Sequence, residues 1–217
     1  MISKRLATVA SLIKANMVIA DIGSDHAFLP IYLFENNIIK KAYAVDNKVG
    51  PLRHAEENIK NAGLNDKIFV YQADGLDELP VDVDCVIIAG MGVDTIVNIL
   101  EKNIEKIFNL KQLIIQPNTK VHLLRKWINK YKLKILDEQI IEDYKYYQII
   151  SIDPQNKGEY DQNEIYFGPV LMNKINDVFK EYHKDQYFKL VNIYKNNPKK
   201  KVSEEFEILS ENTRLFL

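Results

Sequence analysis

Short apolar runs that end at a carboxylate, a glycine or another polar residue recur through the first 120 residues of the chain. Each run has the length of a buried strand, and the stretches between the runs space their apolar residues as helices do. The strands predicted from these runs cover residues 18–22, 42–46, 67–71, 85–89 and 112–115. Two further runs, 134–141 and 146–152, indicate a closing β pair. We therefore predict an α/β fold with a Rossmann-like seven-stranded sheet, in which five parallel strands precede a final hairpin that reverses direction.

The pattern changes after a polar, turn-rich segment at 154–158, where we place a domain boundary. From Gly168 onward the chain favours long helices. Their first stripe, roughly heptad in its first half, contains Leu171, Ile175, Val178, Phe179, Tyr182, Gln186, Lys189 and Ile193. Residues 196–198 break this stripe, and a second helix is predicted at 203–215. The chain is therefore expected to have an α/β domain at 1–157 and a C-terminal helical hairpin of the coiled-coil type at 158–217.

The charge balance limits how this chain could bind nucleic acid. With 29 Lys and Arg against 30 Asp and Glu, the net charge is −1, so any RNA site must be a local basic patch. One such patch, at the predicted hairpin tip, contains Lys195, Lys199, Lys200 and Lys201. It is either a solvated loop or a contact for an RNA backbone.

The single cysteine and the short apolar runs limit further which classes of protein this chain could belong to. Cys85 lies within an apolar run, so we expect a buried structural thiol, and thiols can form neither a disulfide framework nor a metal cluster. No stretch approaches the roughly 18 apolar residues of a membrane span. The N-terminus also lacks a long uncharged apolar region. We therefore expect a cytoplasmic protein.

The turn after the first predicted strand indicates a nucleotide-type ligand. Gly23 lets the backbone approach a ligand, and the N–H groups that open the next helix offer hydrogen-bond donors. Ser24 and Asp25 occupy positions where a dinucleotide site needs glycine, so a pyrophosphate is disfavoured. A cationic ligand such as S-adenosylmethionine suits Asp21 and Asp25 better. His26, in the same turn, fits a cofactor contact or a structural hydrogen bond.

The ends of the next strands supply further candidates at the same sheet edge. Asp46 lies about 20 residues beyond the glycine turn, the spacing of a carboxylate that binds a ribose diol; an Asp there is also a common helix cap. Asp74 either accepts a hydrogen bond from an adenine amine or belongs to an Asp-Gly turn. The glycines around Met91 suggest backbone that passes close to a ligand. The predicted cofactor-binding set is Asp21, Gly23, Ser24, Asp25, His26, Asp46, Asn47, Asp74, Gly75, Gly90 and Met91.

Several of these motifs together resemble one family over nearly the whole chain, the bacterial tRNA adenine-N1 methyltransferases that modify position 22. The motifs that carry the resemblance occupy residues 3–6, 20–30, 46, 74–76, 88–92, 116–118 and 166–169. The string Asp-Ile-Gly-Ser-Asp-His joined to Ala-Gly-Met-Gly is far more specific than either glycine turn alone. The chain departs from the family pattern at Phe28, where tyrosine is usual, and at Val93, where another glycine is common.

The resemblance implies S-adenosylmethionine as cofactor and N1 of a tRNA adenine as methyl acceptor. From its place at the end of the fifth strand, Asn118 is the candidate catalytic residue, because an acceptor near N6 would stabilise charge that develops on the adenine. Arg5 is either a solvated surface charge or a phosphate contact. The predicted substrate-binding set is Arg5, Gln116, Pro117, Lys199, Lys200 and Lys201. We expect a monomer with no metal and no membrane partner.

Two other classes share part of this pattern. A methyltransferase that acts on a small molecule or a protein would need Asp21, Gly23, Asp46 and Asp74 but no basic hairpin tip. A nucleotide-binding module with a coiled-coil arm would bind the cofactor without turnover. An assay of methyl transfer to tRNA, protein and small metabolites separates the three.

Overall fold

The sheet has the predicted seven strands in the order β3-β2-β1-β4-β5-β7-β6. The structure is a computed structural model that describes residues 2–197 and 201–217. The strands are β1 (Met17–Ile22), β2 (Ile39–Asp46), β3 (Ile68–Gln72), β4 (Cys85–Met91), β5 (Gln112–Pro117), β6 (Leu133–Asp143) and β7 (Lys145–Lys157). The first five strands pair in parallel, and β7 runs antiparallel between β5 and β6. The predicted fold class is therefore confirmed.

Helices cover both faces of the sheet, which is why its central strands are mostly apolar. The helices are α1 (Lys4–Ser11), α2 (Phe28–Glu35), α3 (Val49–Asn61), α4 (Val93–Lys102), α5 (Ile104–Phe108), α6 (Val121–Lys130), α7 (Gln162–Phe167), α8 (Asp177–Asn196) and α9 (Glu204–Glu211). Alternate strand residues point to opposite faces, so Ile87 packs with α1, α2 and α3 while Ile88 packs with α4 and α6. Cys85 is fully buried, as expected.

The predicted end of the last strand at residue 152 is wrong, because β7 continues through the turn-rich segment to Lys157. Lys134 of β6 pairs with Asp153 of β7, but the preceding residue Leu133 pairs with Lys157. Residues 154–156 of β7 therefore form a bulge. A bulge tolerates Pro154, which has no N–H to donate to the ladder. The polar residues therefore mark an irregular strand end and not a loop.

The C-terminal segment begins its long helix later than the apolar stripe predicts. Residues Leu171–Asn173 form a short 3-10 turn, and α8 begins at Asp177. Ile175 and Ile193 from the predicted stripe are 37% and 38% exposed. The apolar side of α8 instead buries Phe179, which packs with α9 and with Ile140 of β6.

Helices α8 and α9 form the expected hairpin, but it is no free-standing coiled coil. Helix α9 has only eight residues, too short for a sustained heptad repeat, and the hairpin packs on β6. At its tip Lys195 and Lys201 are exposed, whereas Lys199 and Lys200 lie outside the described residues. Within the described ranges, no helix combines the length and apolar character needed to cross a bilayer.

Candidate functional site

A cleft of about 560 Å³ opens where β1 to β4 end, at the switch point where α/β sheets bind ligands. It is lined by Ile22, Gly23, Asp25, Asp46, Asn47, Lys48, Pro51, Ala73, Asp74, Gly75, Met91, Thr95, Asn98, Ile99, Lys102 and Asn103. Seven of the predicted cofactor residues are therefore brought together here. The other four, Asp21, Ser24, His26 and Gly90, lie outside the lining of this "cofactor cleft".

The glycine turn predicted from the sequence forms the cleft wall beside β1. Gly23 has φ +78°, and a Cβ at this position would collide with the Met91 side chain. The N–H groups of Gly23 and Ser24 donate to the Val45 carbonyl at 2.7 and 3.1 Å. This turn is thus fixed against β2, and glycine is required both by the left-handed backbone and by the close approach of Met91.

Asp46 ends β2 with its carboxylate at the cleft. Its Oδ1 accepts a hydrogen bond of 2.9 Å from the Lys48 N–H. Among the described residues, nothing hydrogen-bonds to its Oδ2. The carboxylate is therefore oriented by the backbone while one oxygen stays available to a ligand hydroxyl.

The donor set of the cofactor cleft suits S-adenosylmethionine. Carboxylates at Asp25, Asp46 and Asp74 can accept hydrogen bonds from hydroxyl and amino groups and favour a cationic ligand. Apolar side chains at Ile22 and Ile99 line the same space and suit a purine ring. A pyrophosphate would meet these three carboxylates, so the structure agrees with the prediction that dinucleotides are disfavoured.

Asp21 lies behind the glycine turn and is only 8% exposed. Burial raises the pKa of this carboxyl to about 6, and the nearby Ser24 hydroxyl and Arg5 guanidinium oppose that rise. Asp21 therefore lies beneath the turn and does not line the cleft.

His26 stands in a row of three stacked rings beside Asp25. Its ring centroid lies 5.0 Å from that of Phe28 and 5.1 Å from that of His54. The Asp25 carboxylate lies beside both imidazoles, with Oδ2 3.3 Å from His26 Nε2 and Oδ1 3.7 Å from His54 Nδ1. Of the two roles predicted for His26, this arrangement favours the structural one, since its ring orients Asp25.

Sequence reasoning missed the cleft residues contributed by α4. Thr95, Asn98 and Lys102 share one face of this helix, three and four positions apart. Lys102 Nζ lies 4.0 Å from Asp74 Oδ2 across the cleft. The polar stripe beside the buried Ile96 and Leu100 gave no separate signal in the sequence, because any amphipathic surface helix has such a polar face.

A second cavity of about 430 Å³ lies between the β5–α6 loop, β7 and α8. We call it the acceptor cavity, and its lining consists of Pro117, Asn118, Thr119, Lys120, Val121, His122, Lys145, Tyr146, Gln148, Tyr166, Tyr182, His183, Asp185, Gln186, Lys189 and Glu205. The predicted catalytic residue Asn118 and the predicted substrate residue Pro117 line it. The contributions of β7 and α8 were not predicted.

Asn118 is held by the backbone at the boundary between the two spaces. Its Nδ2 donates to the Gly90 carbonyl at 2.6 Å, and its backbone N–H donates to the Met91 carbonyl at 2.9 Å. Gly90 has φ +82° and lies in a register irregularity of β4, as is common beside functional sites. Met91 lines the cofactor cleft and Asn118 lines the acceptor cavity, so the two spaces share this wall.

Gln116 and Arg5 support that wall from behind. Gln116 is 0% exposed, and its amide accepts from Arg5 Nη1 at 2.7 Å and donates to the Pro117 carbonyl at 2.8 Å. The Arg5 guanidinium also lies over the Tyr147 ring, 5.6 Å from its centroid. Gln116 and Arg5, which were predicted to contact the substrate, therefore contact other residues of the protein.

Comparisons with known proteins agree on one family. A family model described as tRNA (adenine(22)-N(1))-methyltransferase matches residues 19–216. The Bacillus subtilis (strain 168) protein of that name is 37% identical over 185 residues, covering 82% of this chain and 78% of that protein. Streptococcus pneumoniae Sp1610 in complex with S-adenosyl-L-methionine is 34% identical, with a TM-score of 0.86 over 100% of this chain and 98% of that one. M. capricolum TrmK in complex with S-adenosyl-homocysteine is 33% identical, with a TM-score of 0.89 over 100% of both chains.

Proposed function

The chain belongs to the tRNA (adenine(22)-N(1))-methyltransferase family, and we propose that it transfers the methyl group of S-adenosylmethionine to N1 of adenine 22 in tRNA. The observation that carries this proposal is the wall shared by the cofactor cleft and the acceptor cavity. There the Asn118 N–H donates to the Met91 carbonyl at 2.9 Å. Methyl transfer requires a donor site and an acceptor site that adjoin, since alignment of the two reactants lowers the barrier by roughly 7–11 kcal/mol in favourable cases.

The cofactor cleft divides its contacts among three strand ends. Asp46 would hold the ribose hydroxyls, and Asp74 with Gly75 would hold the adenine of the cofactor. Gly23 and Asp25 would face its cationic amino-acid end. When bound, S-adenosylmethionine supplies an electrophilic methyl group on a sulfonium. The residues of the chain supply the rest of the catalysis, because they orient the two reactants.

Asn118 is the candidate catalytic residue. The Gly90 carbonyl can only accept a hydrogen bond, so the bond of 2.6 Å fixes Nδ2 as the donor and leaves Oδ1 for the substrate. N1 of adenine is already nucleophilic and gains positive charge as its bond to the methyl carbon forms. Oδ1 would accept a hydrogen bond from N6–H and stabilise that charge.

The target adenine must leave any helical stack before N1 can face the cofactor cleft. Enzymes that modify a base act on unpaired nucleotides or flip the target out of the helix. A purine inserted beside Asn118 would reach the shared wall from the acceptor cavity. The chain is therefore proposed to read a displaced nucleotide and not a paired one.

The remaining assignments stay predictions. The exposed Lys201, with Lys199 and Lys200, is proposed to contact tRNA phosphates at the hairpin tip. The division into 1–157 for the cofactor and 158–217 for tRNA is proposed as well, as are a monomeric state, a cytoplasmic location and the absence of a metal.

The direct test is methylation of unmodified tRNA by the purified full-length chain. We expect labelled methyl groups on a transcript with adenine at position 22, located at N1 by nucleoside analysis, and none on the matched transcript with guanine there. Labelled product on protein or small metabolites alone would support the alternative methyltransferase. Cofactor binding without any labelled product would support the non-enzymatic module.

A further inference from the structure

Helix α8 forms one side of the acceptor cavity, although it lies far along the chain from the other cofactor and substrate candidates. Its residues Tyr182, His183, Asp185, Gln186 and Lys189 line the cavity opposite the β5–α6 loop. The helix therefore contributes to the space in which Asn118 is exposed. Its role extends beyond an RNA contact at the hairpin tip.

The charged side chains of this cavity leave it a small net positive charge. Three lysines line it, Lys120, Lys145 and Lys189, against two carboxylates. Lys189 lies 2.6 Å from Asp185, and Glu205 accepts a hydrogen bond of 2.8 Å from the Tyr166 hydroxyl. The Lys189 and Asp185 side chains are 60% and 45% exposed, and an exposed ion pair contributes little to stability, so Lys189 can exchange Asp185 for a phosphate. Lys120 and Lys145 form no ion pair within the part of the chain that the structure describes, so the cavity suits an anionic ligand.

The same cavity offers aromatic and hydrogen-bonding surface. Tyr146 and Tyr182 form an edge-to-face pair with centroids 5.6 Å apart, and tyrosine rings are suited to stacking with nucleobases. His183 hydrogen-bonds through Nδ1 to the Phe179 carbonyl at 2.9 Å, which makes Nδ1 the protonated nitrogen. Its buried Nε2 is therefore an acceptor, and it has no partner among the described residues. A buried polar atom without a partner is uncommon.

The dimensions agree with a nucleotide-sized ligand. A volume of about 430 Å³ lies within the usual range of ligand pockets. Asn118 stands at one part of the lining, and the lysines carry the positive charge of the rest. A nucleotide requires both kinds of group, because a polar acceptor can bind its base and cations can bind its phosphate.

We propose that the acceptor cavity receives the whole flipped nucleotide, with its base at Asn118 and one flanking phosphate against Lys145 and Lys189. In this arrangement α8 is a wall of the active site, and the C-terminal hairpin positions the target nucleotide directly. The proposal rests on the proposed function and adds to it the residues that hold the nucleotide.

The test uses Lys145→Gln, Lys189→Gln and the double variant of the full-length chain. Lys184→Gln is the matched control, because Lys184 lies on the same helix, pairs with Glu181 at 3.7 Å and is absent from the cavity lining. Initial rates are measured against tRNA concentration at saturating cofactor and at several salt concentrations. Cofactor affinity and melting temperature establish that all variants are folded.

We expect the double variant to raise the KM for tRNA by roughly tenfold, the effect of losing one charged contact, while kcat changes less than about twofold. The dependence of tRNA affinity on salt should become shallower by about 0.7 in log–log slope, the value for one phosphate on a single strand. Lys184→Gln should match the wild type in both measurements.

A second experiment tests whether the two lysines contact a single phosphate beside nucleotide 22. Transcripts carry a neutral methylphosphonate on either side of nucleotide 22, one at a time. The wild type should lose affinity for only one of them, and the double variant should not distinguish that transcript from the unmodified one. If the lysine variants behave like Lys184→Gln, or if both linkages cost every protein the same factor, the proposal is wrong. A wild-type enzyme that leaves adenine 22 unmethylated would instead overturn the proposed function.

Discussion

Arg125 Nε donates a hydrogen bond of 2.7 Å to Glu138 Oε1 in the interior, where the two side chains are only 1% and 0% exposed. The pair joins α6 to β6 and also reaches the C-terminal segment. Arg125 Nη1 donates to the Tyr166 carbonyl at 3.2 Å, and Glu138 Oε2 accepts from the Val170 N–H at 2.9 Å. The segment that leads into α8 is therefore fixed to the sheet by a buried ionic network.

Removal of one charge from this network should strongly destabilise the protein. Glu138→Gln leaves Arg125 buried without its counter-charge, a change that typically costs about 3–5 kcal/mol in the free energy of unfolding. Urea unfolding of the full-length chain measures this loss. Glu204→Gln is the control, since the Lys126–Glu204 pair is exposed and should contribute less than about 1 kcal/mol. Equal stability of the two variants would show that the buried pair does not fix the hairpin.

Asp46 should matter for cofactor affinity and not for the fold. Its Oδ1 is bound to the Lys48 N–H, and the carboxylate lines the cofactor cleft. A hydrogen bond to a charged group contributes about 1.5–3 kcal/mol, so Asp46→Ala should weaken S-adenosylmethionine binding by roughly tenfold or more. Titration calorimetry gives the dissociation constants. Asp66→Ala, at an exposed position outside the cleft, should bind as the wild type does, and a normal affinity for Asp46→Ala would remove this residue from the site.

Asp21 should make stability depend on pH in an unusual direction. Its pKa is raised by burial to about 6 from 3.8, so the folded state binds the proton more tightly than the unfolded state. The resulting stabilisation is fully present below the unfolded pKa and is lost as the pH rises through about 6. Asp21→Asn should therefore gain stability relative to the wild type by about 1 kcal/mol between about pH 5 and about pH 7.5. Urea unfolding at both pH values checks this, and a difference that stays constant with pH would contradict the assignment.

The strand ends explain why much of the cofactor cleft is predictable from the sequence. Parallel strands bring their carboxyl ends to one edge, so the order of apolar runs was enough to bring Asp46 and Asp74 near Gly23. The acceptor cavity depends instead on how α8 packs against the β6–β7 pair. Lys189 and Tyr182 carry no local signal for that contact, because their spacing also fits an ordinary amphipathic helix.

Two further features were hidden for physical reasons. Arg125 resembles a surface charge on α6, since a buried arginine is recognisable only once its partners on other elements are known. Pro154 is typical of a strand end. The bulge that accommodates it is recognisable only once the pairing of β7 with Leu133 is known. Both features depend on contacts between residues distant in sequence.

We expect methyl transfer to take place at the wall shared by the two spaces, where Asn118 meets Gly90 and Met91. The most direct measurement is the single-turnover methylation rate of Asn118→Ala with tRNA that carries adenine 22. Asn173→Ala is the matched control, because Asn173 donates a similar bond of 2.9 Å to the Pro169 carbonyl outside both spaces. We expect the rate of Asn118→Ala to fall by roughly 10² or more, with cofactor affinity nearly unchanged and Asn173→Ala at the wild-type rate. An Asn118→Ala enzyme that methylates adenine 22 as fast as the wild type would show that Asn118 has no role in methyl transfer.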